Sequence, residues 1–114
     1  MTDLLRPGFA IDALTAPVTT EPLPSAQISS GSPSAGELEL VAGETEIGIW
    51  EHSPGTSTDV EVDEVFVVLS GSATVEFMES GVVLRLAPGV VARFAAGTAT
   101  RWTVTETIRK IYIA

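Results

Sequence analysis

The chain has 114 residues, 45% of them hydrophobic and 18% charged, with fifteen acids against six bases, a net charge of -9 and no cysteine. That length fits one domain with a sizeable core, and the excess of acid disfavours nucleic acid and anionic membrane surfaces as partners. The lack of cysteine excludes a disulfide frame, a thiolate metal site and a cysteine nucleophile, and suits a cytoplasmic protein.

The N-terminal stretch "MTDLLRPGFAIDALTAPV" has neither the basic start nor the unbroken apolar core of a signal peptide. No apolar run approaches the ~20 residues that cross a bilayer, so the expectation is a soluble protein that stays where it is made. Leu4 to Leu14 has room for one short helical turn, limited by Pro7 and Gly8. From Thr15 to Gly36 the chain is rich in Pro, Ser, Thr, Ala and Gly and holds no period. Residues 1–36 are therefore read as an extended arm, lying over the domain or partly mobile, and residues 37–114 as the domain itself.

After Gly36 short apolar runs alternate with turn residues, the pattern of an all-β barrel or sandwich. The expected strands are Glu37–Val41, Thr45–His52, Val60–Leu69, Ala73–Glu79, Val82–Leu86, Val90–Ala95, Thr100–Thr105 and Thr107–Ile113. Ala73, Val75 and Phe77 share one face by period-two alternation, as do Trp102 and Val104. "MESG" and "APG" read as turns. Closing such a set of strands into a barrel hides the sheet edges.

The block "GIWEHSPG", Glu64 seven residues before Gly71, an "APG" turn whose Gly89 stands eight residues before Gly97, and the tail "WTVTETIRKIYI" follow one another in order. In that order and spacing the chain, from about Ile28 to Ala114, resembles the small single-domain cupins related to the cupin domain of (S)-ureidoglycine aminohydrolase. The resemblance implies a double-stranded β-helix, or jelly-roll barrel, and a homodimer. Metal-binding cupins carry two histidines and a glutamate in a first motif and a histidine in a second. Aligned on Glu64 and Gly71, the first pair of positions holds Thr58 and Val60; aligned on Gly89 and Gly97, the last holds Thr100. Only Glu64 is left of the four, so no metal and no cofactor is expected.

Glu64 stands where the acidic lead-in "DVEVDE" meets the apolar run "VFVVL". If it faces the barrel interior, parity carries Thr58, Val60, Val62, Phe66 and Val68 inward with it and turns Asp59, Glu61 and Asp63 toward water. A carboxylate buried there needs a partner. Thr58, Thr100 or an indole N–H are candidate donors, and a bound ligand is another. His52, the single histidine, lies where the resemblance places no ligand and is read as a structural or surface residue rather than a catalytic one. Arg85, Arg93, Arg101 and Arg109 are read as outward charge balance on different strands.

Trp50 and Trp102 are two of seven aromatic residues and first of all core filler. With the metal ligands gone, Trp50, Thr58, Val60, Glu64, Phe66, Thr100 and Trp102 make a candidate small-molecule pocket of apolar walls and a few polar atoms. The favoured reading is therefore metal-free binding of a small molecule, leaning away from an enzyme. Two rivals are a metal-dependent hydrolase of a ureido or amide-like substrate, as the resemblance implies, and a structural or interaction protein with a filled barrel.

Overall fold

The computed structural model describes residues 3–114; Met1 and Thr2, the start of the expected arm, lie outside the described residues. Nine strands follow in chain order: β1 (Glu21–Pro22), β2 (Ile28–Ser30), β3 (Ser34–Val41), β4 (Ile47–His52), β5 (Gly55–Val60), β6 (Glu64–Phe77), β7 (Val83–Leu86), β8 (Val91–Phe94) and β9 (Ala99–Ile113). The stretch of residues 4–14, where one helical turn is expected, holds no helix but separate turns: Phe9 N–H bonds Arg6 O around Pro7 and Gly8, and Ala16 N–H bonds Asp12 O in a single turn at its end. Among the described residues the one helical element is a 3-10 turn at Ser25–Gln27, and no helix is long and apolar enough to cross a membrane.

Two expected pairs of strands are in fact single long strands. β6 runs on through Ser70 and Gly71, between two of the expected strands, and β9 runs through Glu106. Both bend instead of breaking, with shifts of register between Val68 and Ser70, Ser70 and Ser72, and Ser72 and Ala73. Gly71 sits in this bend at φ 87°, and a Cβ on it would collide with the Thr107 carbonyl of β9. Only glycine meets both demands.

The bend lets each long strand serve two layers. In one layer the first half of β6 pairs with β8 and with the second half of β9, which continues to β4, β3 and β1. In the other the second half of β6 pairs with β7 and with the first half of β9, which continues to β5 and β2. Two antiparallel layers sharing two bent strands make the jelly-roll barrel. Its core is Phe66, Val68, Ala73, Val75, Leu86, Phe94, Trp102, Val104 and Ile108. Burying each of the larger of these contributes about 1.5–3 kcal/mol. The alternation read from sequence is seen directly: Ala73, Val75 and Phe77 lie beside Val104, Trp102 and Thr100, while Glu76 bridges Arg101 on the outer face at 3.1 Å.

The N-terminal segment covers the outer face of the β3–β4–β9 layer. Leu5, Ile11, Ala13, Ala16 and Val18 pack there on Leu38, Leu40, Ile49 and Ile111, a second and smaller apolar cluster. Arg109 fastens it, donating from Nη1 to the carbonyls of Ala13 at 3.0 Å and Ala16 at 2.6 Å, and from Nη2 to Glu51 at 3.2 Å. This corrects the reading of Arg109 as surface charge balance on a strand of its own. It lies on the same strand as Arg101, and its side chain is 11% exposed.

Candidate functional site

The tail of β9 alternates Ile108, Lys110 and Tyr112 toward the barrel interior with Arg109 and Ile111 toward the arm. Lys110 is the only lysine of the chain, and its side chain is 4% exposed. Its Nζ lies 4.3 Å from the ring centre of Phe66, 4.7 Å from Trp50, 5.1 Å from Trp102 and 5.5 Å from Phe94. Four aromatic faces around one ammonium attract it electrostatically and replace part of its lost hydration. The rest comes from Glu64 at the start of β6, whose two carboxylate oxygens accept from Nζ at 3.3 and 3.5 Å.

Burial pushes the Lys110 amine below the usual lysine range, an effect that Glu64 and then Glu61 oppose. Burial likewise pushes the Glu64 carboxyl up, opposed by Lys110. Burial alone favours the uncharged forms; the mutual attraction of the pair, with the rings and Glu61, opposes it.

A second carboxylate enters beside this pair. Glu61 is buried, and its Oε2 accepts from Thr100 Oγ1 at 2.7 Å and from Trp102 Nε1 at 2.9 Å. The sequence reading gave these donors to Glu64 and turned Glu61 toward water; the structure reverses both. The cause is the link between β5 and β6. Register pairs Ser57 with Trp102 and Asp59 with Thr100, so β5 points its odd-numbered residues inward, and Glu61 follows that phase. Residues 61–63 belong to no strand, and β6 resumes with Glu64, Phe66 and Val68 inward. One parity cannot be carried across that break.

The same shift moves Thr58 and Val60. Thr58 pairs with Arg101 on the outer face, its Oγ1 donating to Gln27 O at 3.5 Å, and Val60 is 64% exposed at the rim. Thr58 lines a separate hollow with Gln27, Val60, Met78, Ala99 and Thr100. Of the seven residues expected to form one pocket, Trp50, Val60, Glu64 and Trp102 do line one cavity, of about 320 Å³. Phe66 lies wholly buried beneath it, under Lys110, and Thr100 supports it through Glu61. Thr58 is outside it.

The sequence reading missed Lys110, Glu61, Tyr112 and the acids Glu37, Glu39 and Glu46, all of which line this cavity with Asp59. Gly48 leaves room for the Tyr112 ring, since a Cβ there would collide with its hydroxyl. Burial first, and then the hydrogen bond to Glu37, push the Tyr112 phenol well above its usual range, so it stays protonated. The walls are thus aromatic and the mouth strongly acidic.

His52 lies deeper in the interior, 1% exposed. Its Nδ1 is 2.6 Å from Ser53 O and its Nε2 2.8 Å from Ser57 Oγ. A carbonyl can only accept, so Nδ1 carries the proton and Nε2 accepts from the hydroxyl. Burial lowers its pKa from the ordinary 6.5, partly offset by the bond to Ser53. The ring stacks at a tilt on Trp50 at 5.4 Å and acts as a wedge within the wall.

The interior does not fit a metal ion. Glu64, the one carboxylate left from the cupin ligand pattern, faces an ammonium instead of other donors. Among the described residues no three His, Cys, Asp or Glu side chains stand together in a metal-holding group. Tetrahedral or octahedral sites need three or more converging donors.

Comparison with known proteins agrees with this architecture. The family model of the EutQ-like cupin domain matches residues 40–112. A protein of unknown function of the DUF861 family from Pseudomonas syringae superposes with a TM-score of 0.74 at 24% identity, over 87% of this chain and 44% of its own. The Clostridium difficile EutQ protein superposes with a TM-score of 0.61 at 19% identity, over 71% and 61%. A putative ethanolamine utilization protein from Salmonella typhimurium gives 0.62 at 14%, over 86% and 93%. The chain thus spans less than two-thirds of the first two structures, and at these identities the likeness is one of fold. No curated protein matches the sequence.

Proposed function

The chain belongs to the EutQ-like cupin domain family, and from that premise we propose that it binds a small uncharged or cationic organic molecule in the mouth of its barrel, without a metal ion. The observation that carries this reading is the Lys110–Glu64 pair at the centre of the aromatic floor, beneath a cavity of about 320 Å³. An ammonium stands among the rings where a metal would need converging ligands, and the space above it is of ligand size. Glu37, Glu39, Glu46 and Asp59 around the opening repel anions and concentrate cations. The same donor set argues against metal-dependent hydrolysis of the kind found in the aminohydrolase-type cupins.

Titration of the isotope-labelled protein with short alcohols, amides, amines and carboxylates tests this reading. The indole N–H signals of Trp50 and Trp102 move with the first three classes and stay in place with carboxylates. Signals that no class moves, or that carboxylates move equally, overturn it. Pairing into a homodimer belongs to the same proposal, and light scattering should give twice the chain mass of 11.9 kDa.

A further inference from the structure

The single lysine of an acidic chain would be expected at the surface, where its ammonium stays hydrated. Here it forms the floor of a cavity, its Nζ within hydrogen-bond reach of one carboxyl group and otherwise surrounded by rings. A cation that served packing alone would not need an opening above it. We propose that Lys110 is a carbonyl-reactive amine, which forms an imine with small aldehydes that carry no negative charge, with Glu64 as the proton relay. The proposal rests on the reading that the cavity admits a small molecule, and adds the chemistry that would follow.

Each requirement of imine formation has a residue. The nucleophile must be a neutral amine, and moving one proton from Lys110 to Glu64 within the pair yields an amine and a carboxylic acid without net charge. Desolvation favours that exchange. The Nζ lone pair attacks the carbonyl carbon; the C–N bond forms as the C=O π pair moves to oxygen, which takes the proton of Glu64. Nζ then returns a proton to the Glu64 carboxylate, giving a neutral carbinolamine. Glu64 protonates its hydroxyl, which leaves as water while the nitrogen lone pair closes the C=N bond. The sum is aldehyde plus amine plus carboxylic acid giving iminium, carboxylate and water, with no change of oxidation state. The iminium–carboxylate pair has the charge and place of the ammonium–carboxylate pair it replaces. The faces of Phe66, Trp50 and Trp102 that hold the one cation therefore hold the other.

The test is trapping with propionaldehyde and cyanoborohydride on the folded, full-length protein, read by intact mass and peptide mapping. Because the chain has one lysine, its only other amine is the N-terminal one, and mapping separates the two. The expected result is one reduced propyl adduct on Lys110, formed faster than on the N-terminal amine. Pyruvate should give no adduct there. Lys110→Arg keeps the charge and should lose the adduct, while Glu64→Gln keeps a hydrogen-bond acceptor and should slow its formation on the order of a hundredfold. Labelling confined to the N-terminus, or appearing at Lys110 only after denaturation, overturns the proposal. If propionaldehyde moves the Trp50 and Trp102 indole signals without trapping, the amine chemistry fails and the binding reading stands; if neither propionaldehyde nor the alcohols, amides and amines move them, both fail.

Discussion

Arg109 and Lys110 are neighbours on β9, both basic, and point to opposite faces of one layer. Arg109 meets the covering arm, and its planar fork satisfies two carbonyls and a carboxylate at the protein's edge. Lys110 meets the barrel interior, where a compact ammonium fits among four rings with one carboxylate. The exterior cation holds two parts of the chain together. The interior one lies under a cavity and is held by a partner that burial also disfavours. Environment, more than residue type, separates an anchor from a site.

Removing each partner in turn sharpens that contrast. Lys110→Met leaves Glu64 without its counter-ion in the interior and should cost about 3 kcal/mol, most of it recovered in the double variant Lys110→Met/Glu64→Leu. Urea unfolding of the two variants checks this; equal losses would show that the rings, and not the pair, carry the energy. Next in size is Glu61→Ala, which orphans the buried donors Thr100 Oγ1 and Trp102 Nε1 and should cost about 2 kcal/mol. It should also move the Trp102 indole signal, whereas Arg109→Ala should leave that signal alone. Arg109→Ala should cost about 1 kcal/mol and speed amide exchange in residues 5–18, the exterior counterpart of the interior changes.

The smallest effect belongs to His52. Its folded pKa is lowered from 6.5, so the unfolded chain takes up a proton first as the pH falls. The neutral ring's contribution is therefore complete above 6.5 and is lost below it, toward the folded value. Unfolding midpoints of the wild type and His52→Asn should accordingly converge as the pH drops below 6.5. A constant difference would mean that the ring is no more shielded than a surface histidine.

Much of the barrel could be read in the sequence, because "ATVEFME" and "RWTVT" alternate cleanly between one buried and one wet face. Lys110 could not. In "IRKIYI" both faces carry apolar residues, Ile108 and Tyr112 on one side, Ile111 and Ile113 on the other, and the arm packs on Ile111. Alternation then gives no direction for the lysine between them. Glu61 was hidden differently, because the three-residue break before β6 resets the phase and nothing in "VEVDEV" marks it. Glu64 was found through the family pattern, but its partner has no place in that pattern.

The central claim is that an ammonium–carboxylate pair holds the place of a metal. Elemental analysis of the purified protein, as isolated and after incubation with manganese, iron, nickel and zinc followed by desalting, tests it most directly. The account predicts no stoichiometric metal under any of these conditions, and no change in Glu64→Gln. One metal ion per chain that disappears in Glu64→Gln would contradict it.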